Sequence, residues 1–454
     1  MKKELSSALK LFYGVGDFGF TLMTNVETFY FNFFLTNIAQ FSVAMSGLIA
    51  SIASITDACL SWIYGLILNT IKPKKWGRYR SWLMIMPWIV PFLFAFQFLK
   101  VSENEGLSAV VVIVAAIVSH ICWNFPYVAN VAMINVAGKT PDDRIALAAI
   151  RGTWNNIGSI AFSYMGLPLA TVLAGIVGEQ NQYAALAFVL AVIMVVGYYA
   201  HFRMFDGYEE IEVEVVKKEE KKEKVNIFKT LNVPVVCLIL ADLAKWMIKF
   251  VVAGTAIYYF TYVAQNVAMQ ATYLLAANIA GVIGAYISKI IAKAISTSTT
   301  MIGPYLVMAA CMIVAYFLRD NSTIVIVLMS LAQLGYGIVY SATPAMYADA
   351  VVYSEWKAGR NASGFIMGLQ NIPLKVAVLS RAVIIAACLA AANFDASIDP
   401  AAATDELKSG IGLAFMVIPA IALIIGVLFM IFGFRITKEK LVQYQAEIEA
   451  RKNA

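Results

Sequence analysis

The chain has 454 residues, 61% of them hydrophobic and only 14% charged, with a mean hydropathy of +0.75. No water-soluble domain could hide that much apolar surface, so the natural solvent is a bilayer. The formal net charge of +6 follows from basic loops of the kind that fix membrane orientation, which argues against nucleic-acid binding.

Spanning-length apolar segments follow one another with short polar breaks, at roughly 9–38, 42–70, 81–100, 107–137, 146–174, 183–204, 232–264, 268–294, 300–318, 323–352, 362–392 and 411–434. This pattern predicts an all-α polytopic membrane protein with twelve transmembrane helices. The interval 206–230, DGYEEIEVEVVKKEEKKEKVNIFKT, is the one long charged stretch. It reads as a cytoplasmic linker between six-helix bundles at 1–205 and 231–436, with a cytoplasmic tail at 437–454. Loops containing KPKKWGRYR, GKTPDDR and SEWKAGR alternate with loops poor in Lys and Arg. Both termini are therefore expected in the cytoplasm. The first span has polar residues and no small-residue cleavage site, so no removable leader is expected. YVANVAM at 127–133 is echoed by YSATPAM at 340–346, which suggests parallel repeats with a solute site near mid-membrane.

Ionisable residues at membrane depth are costly and mark function. In the first span Asp17, Thr21, Asn25 and Thr28 share one helical face, with Glu27 beside it, which points to a polar cavity. Asp57 is the lone carboxylate of the second span, and Lys375, deep in the eleventh, is its expected partner. The seventh span aligns Asp242, Lys245 and Lys249. These form either an intrahelical pair plus a snorkelling lysine or a solute-facing cation. The fifth holds Arg151 and Trp154, the eleventh Gln370, Asn371 and Arg381. Trp123, Tyr127 and Trp154 lie beside polar positions, where aromatic faces suit sugar rings.

The five cysteines lie in apolar segments without paired spacing, and two histidines, His120 and His201, are too few for a metal cluster. No cofactor, metal or catalytic constellation is expected, so an enzyme is disfavoured.

The segments LFYGVGDFGF, TDACLSW followed by KKWGRYRSW, the DDR loop before Arg151, and MYADAVVYSEWKAGRNASG before Lys375 resemble the glycoside-pentoside-hexuronide:cation symporters. The melibiose-type permeases belong to that group. The resemblance runs nearly the whole chain and implies a major facilitator fold that moves a sugar-like solute with Na+, Li+ or H+ by alternating access. Asp57 matches the first of the two span-two carboxylates in that pattern, but Leu60 and Ser61 stand in place of an asparagine and the second acid. A desolvated Na+ needs several oxygen ligands, so H+ is the expected coupling ion, with Na+ the alternative and with Asp57, Ser61 and Lys375 as the coupling residues. The family's span-one sugar aspartate aligns with Thr21, and its span-four aspartate falls near Ala129 or Asn130. The expected solute is a carbohydrate, a glycoside or an acidic sugar derivative, the acidic form being suggested by the membrane-depth Lys245, Lys249 and Lys375, and the expected solute-binding residues are Asp17, Thr21, Asn25, Trp123, Tyr127, Asn130, Arg151, Trp154, Lys245, Lys249 and Gln370.

Arg78, Arg80, Asp143, Arg144, Glu355 and Arg360 are the expected cytoplasmic gate. A monomeric carrier in a bacterial inner membrane, with a small solute and lipid as its partners, is the resulting expectation. A carrier of non-sugar or lipid-like solutes and a non-transporting sensor are the alternatives.

Overall fold

A computed structural model describes residues 4–70, 75–138, 140–209, 231–294, 298–359 and 363–453. The chain divides into two compact units, Met1–Lys218 and Glu219–Ala454. The first contains α1 (Val15–Phe33), α2 (Val43–Thr70), α3 (Arg80–Phe96), α4 (Glu105–Ala137), α5 (Pro141–Val177) and α6 (Gln182–Met204). The second contains α7 (Val233–Tyr258), α8 (Met269–Ala294), α9 (Thr299–Phe317), α10 (Ser322–Ala358), α11 (Asn371–Ala391), α12 (Asp405–Phe432) and a terminal α13 (Lys438–Asn453).

Among the described residues nine helices are long and apolar enough to cross a membrane. The remaining spans are α1, α3 and α7, and each has a reason to be less apolar or shorter. Asp17 and Glu27 interrupt α1, Asp242, Lys245 and Lys249 interrupt α7, and α3 is short and bent at Pro87. Their helicity is still enforced, because an unpaired backbone amide in hydrocarbon costs several kcal/mol.

Each unit repeats one packing scheme. In the first, α1 lies against α5 and α6, α2 against α4, and α3 against α4 and α6; in the second, α7 lies against α11 and α12, α8 against α10, and α9 against α10 and α12. The α8–α10 contact brings backbones together, since a Cβ at Gly337 would run into the carbonyl of Gly281. Small residues permit this kind of approach where lipid supplies no hydrophobic drive between helices. The repeat extends to fine detail: α1 ends in a π-helical turn, Phe34–Ile38, and α7 in another, Tyr259–Val263. Each π turn is followed by a glutamine of positive φ, Gln40 at 55° and Gln265 at 52°.

Three expected spans prove to be interrupted. The first is broken between the short helix Ser7–Phe12 and α1 at Gly14, whose φ of 144° suits glycine and whose missing Cβ makes room for the Trp154 ring. The third passes through a 3-10 turn at Pro87–Ile89. The eleventh is divided into Ser363–Gly368 and α11, because Pro373 has no amide hydrogen to offer the Leu369 carbonyl. The tail beyond residue 437 is a helix whose Tyr444 packs on Trp356 of α10, ring centroids 4.4 Å apart. Residues 210–230 of the expected linker lie outside the described residues.

Candidate functional site

Four elements of the first unit converge on Asp17. Burial is complete, and its carboxylate cannot stay charged there without partners. Arg151 of α5 donates from Nε to Oδ1 at 2.7 Å, and Asn130 of α4 donates from Nδ2 to Oδ2 at 2.8 Å. The other side of the Asn130 amide accepts from His201 Nδ1 of α6 at 2.8 Å. His201 Nε2 accepts the backbone N–H groups of Gly14 and Gly16, both at 3.1 Å. A ring nitrogen that accepts from amides carries no proton, so His201 is the neutral Nδ1–H tautomer. Tyr13 completes the node by donating to the Asn130 carbonyl at 2.7 Å, and the Arg151 guanidinium lies 5.1 Å over the Tyr127 ring.

The second unit has a matching node. Asp242 and Lys245, one turn apart on α7, form an ion pair at 2.5 Å, with side chains 1% and 3% exposed. Lys245 Nζ also donates to Thr343 Oγ1 of α10 at 3.2 Å, and Tyr347 donates to Asp242 at 3.4 Å. Thr343 is the residue that YSATPAM places where YVANVAM places Asn130. The intrahelical pair expected for Asp242 and Lys245 is formed. Lys249, one turn further, is exposed. No carboxylate lies within salt-bridge distance of it among the described residues, and its Nζ sits 5.7 Å from the Trp246 ring, which packs edge-on against Tyr340 at 5.9 Å.

Asp57 lies near a cluster that motif and spacing alone do not assemble. Asn124 of α4 donates from Nδ2 to Asp57 Oδ1 at 3.0 Å and to the His120 carbonyl at 2.8 Å. The carbonyl can only accept, so the amide nitrogen, not its oxygen, is turned towards Asp57. His120 Nε2 meets Glu27 Oε2 of α1 at 2.9 Å, while its Nδ1 is 3.9 Å from Asp57 Oδ1. The side chain of Ser61 lies outside the described residues, and Lys375 is half-buried on α11 in the second unit.

The other expected solute residues scatter around these centres. Thr21 donates to Asn155 at 3.0 Å, and Trp154 donates to the Leu11 carbonyl at 3.0 Å. Asn25 is half-buried on α1, Trp123 and Tyr127 flank Phe20 at 5.1 and 4.6 Å, and Gln370 is half-buried at the break before α11. The expected gate residues make local ties. Arg80 binds the Phe202 carbonyl and Asp206, both at 2.7 Å, fastening the start of α3 to the end of α6. Asp143 forms the capping box of α5 with Thr140, and Arg144 donates to the Gly138 carbonyl at 3.1 Å. Arg78 and Glu355 are half-buried, and Arg360 lies outside the described residues.

His120 and His201 are the functional-looking residues that the sequence pattern does not single out. A signal was nevertheless available, since a histidine at membrane depth must bond to something.

Residues 12–438 match the family described as MFS/sugar transport protein. The chain is 24% identical to the isoprimeverose transporter of Lactiplantibacillus pentosus, covering 80% of this chain and 76% of that one. It is 19% identical to the glucuronide carrier protein homolog of Escherichia coli (strain K12), covering 100% and 97%. Among solved structures, a D-xylose-proton symporter superposes with a TM-score of 0.64 at 12% identity, covering 95% of this chain and 98% of that one. That likeness concerns the fold.

Proposed function

The chain belongs to the MFS/sugar transport protein family, in the glycoside-pentoside-hexuronide branch that its motifs resemble, and from this premise we propose that it carries an acidic sugar derivative together with a proton by alternating access. It is a multi-pass membrane carrier and not an enzyme.

Lys249 is the observation on which the anionic solute rests. It stands near the middle of α7 and its π-helical extension, where a cation without a counter-charge is costly. The neighbouring lysine is already paired with Asp242, so Lys249 is left to meet a carboxylate or sulfonate on the solute. Trp246 and Tyr340 beside it supply aromatic faces for the C–H side of a sugar ring. In the first unit, Asn25, Trp123 and Tyr127 are the polar and aromatic side chains offered to a solute. Asp17, Asn130 and Arg151 bond to one another, Lys245 bonds to Asp242 and Thr343, and these contacts act as ties that fix the helices within each unit.

Proton coupling at Asp57 is supported by the shell around it. A sodium ion requires oxygen ligands, whereas Asn124 presents a donor. The basic loops support a cytoplasmic position for both termini.

Proteoliposomes containing the purified chain test this reading directly. Methyl glucuronide is expected to accumulate under an inward proton gradient without sodium, and neutral isoprimeverose to accumulate far less. Uptake that needs a sodium gradient and ignores pH, or that prefers isoprimeverose, overturns it.

A further inference from the structure

We propose that His120 is a proton-binding residue that couples Glu27 and Asp57 into one site, and that this imidazole takes the place of the second carboxylate that α2 lacks. The inference rests on the proton-coupled reading above and identifies the groups that would carry the proton.

Three helices supply the site, α1 with Glu27, α2 with Asp57 and α4 with His120. The imidazole lies between two carboxylate oxygens, 2.9 Å from Glu27 and 3.9 Å from Asp57. The side chains are 9% exposed for His120, 17% for Glu27 and 12% for Asp57. They are thus dry enough for strong electrostatics but still open to a proton arriving through water. Asp57 is also fixed by Asn124, which holds the carboxylate oxygen nearest the ring. The helices that supply the site also carry Asp17 and Tyr30 on α1, Cys59 and Tyr64 on α2, and Glu105, Cys122 and Tyr127 on α4; Asp17 is engaged with Arg151 and Glu105 with the Ser42 amide. Arg80 of α3 and Arg151 of α5 are engaged elsewhere, with Asp206 and Asp17.

The step is a simple proton transfer. With Nε2–H donating to Glu27, the lone pair on Nδ1 takes a proton from hydronium, releasing water, and the ring becomes an imidazolium between two anions. The site's formal charge goes from −2 to −1, counting both carboxylates as ionised. The new Nδ1–H points to Asp57, and closing the 3.9 Å separation by about 1 Å makes a charge-assisted hydrogen bond. Such closure would draw α4 towards α2, a movement of the scale that switches packed helices between arrangements. An isolated carboxylate at Asp57 could bind a proton but would lose its attraction for neighbouring donors in doing so. The imidazole instead gains attraction when it is loaded.

The chain contains only two histidines, so the full protein in lipid nanodiscs, labelled with 15N-histidine, gives two imidazole signals, and H120Q assigns them. One is expected to titrate as a single group and to belong to His120. In E27Q and in D57N the same proton is expected to leave at lower pH, by about one unit or more. Pyranine-loaded vesicles then report proton entry when methyl glucuronide is added, and H120Q is expected to abolish that entry while leaving counterflow of methyl glucuronide intact. An unchanged titration in both carboxylate variants, or undiminished proton entry with H120Q, overturns the proposal. Failure of the wild-type chain to move methyl glucuronide overturns the substrate reading instead, and the histidine titration then decides the coupling proposal by itself.

Discussion

Asp17 and Asp242 occupy the same register in the two units, each standing the same number of residues ahead of its π-helical turn, Phe34–Ile38 or Tyr259–Val263. Both are fully buried acids tied to a residue of the fourth helix of their unit, Asp17 directly to Asn130, and Asp242 through Lys245 to Thr343. The cations differ in origin. Arg151 reaches Asp17 from α5, while Lys245 comes from α7 itself.

That difference predicts two kinds of damage. Removing one partner of a buried pair strands a charge, at a cost of about 3–5 kcal/mol, so R151Q and K245M should each lower thermal stability in detergent. The double variants D17N/R151Q and D242N/K245M should recover most of the loss. R151Q should in addition loosen α5 from α1, which hydrogen exchange at α5 would detect, whereas K245M should leave α11 unaffected.

Lys249 should discriminate solutes by charge. Replacing it with Gln removes one charge-assisted contact, worth about 1.5–3 kcal/mol, and should weaken methyl glucuronide binding by roughly 10- to 100-fold. Isoprimeverose binding should change little, as measured by calorimetry on the detergent-solubilised protein.

Glu209 accepts the backbone amides of Tyr79 and Arg80, with oxygens 2.9 and 3.0 Å away. E209A should leave those donors to water and accelerate their hydrogen exchange by about tenfold or more. The helical amides of α6 should remain protected, since their bonds do not involve Glu209.

The terminal helix should show a pH response. The Trp356 indole donates to Glu447 at 2.6 Å and Gln443 donates at 2.8 Å, which together hold the Glu447 carboxyl below the ordinary glutamate value. A lowered native pKa contributes stability that is present above the unfolded value, near 4.5, and lost as pH falls through the native one. The 19F signal of 5-fluorotryptophan at position 356 should therefore hold steady above that range and move below it. In E447Q it should show no such transition.

The fold was largely legible in the residues because a bilayer imposes length and apolarity on every span, and the spans that broke rank did so at marked residues. Gly14, Pro87 and Pro373 carry their breaks in their own covalent structure. Asp57, Arg151, Lys245 and Lys249 also announced themselves, since charge at membrane depth is costly whatever surrounds it. Partnership was another matter. Asp57 binds Asn124 and neighbours His120, and Asp17 is shared between α4 and α5. His120 and His201 looked idle until α1, α4 and α6 were brought together. Sequence determines how much each helix costs to insert and which of its faces is polar. Tertiary structure alone decides how each helix is rotated about its axis, and a hydrogen bond, which fails beyond about 3.5 Å, depends on that rotation.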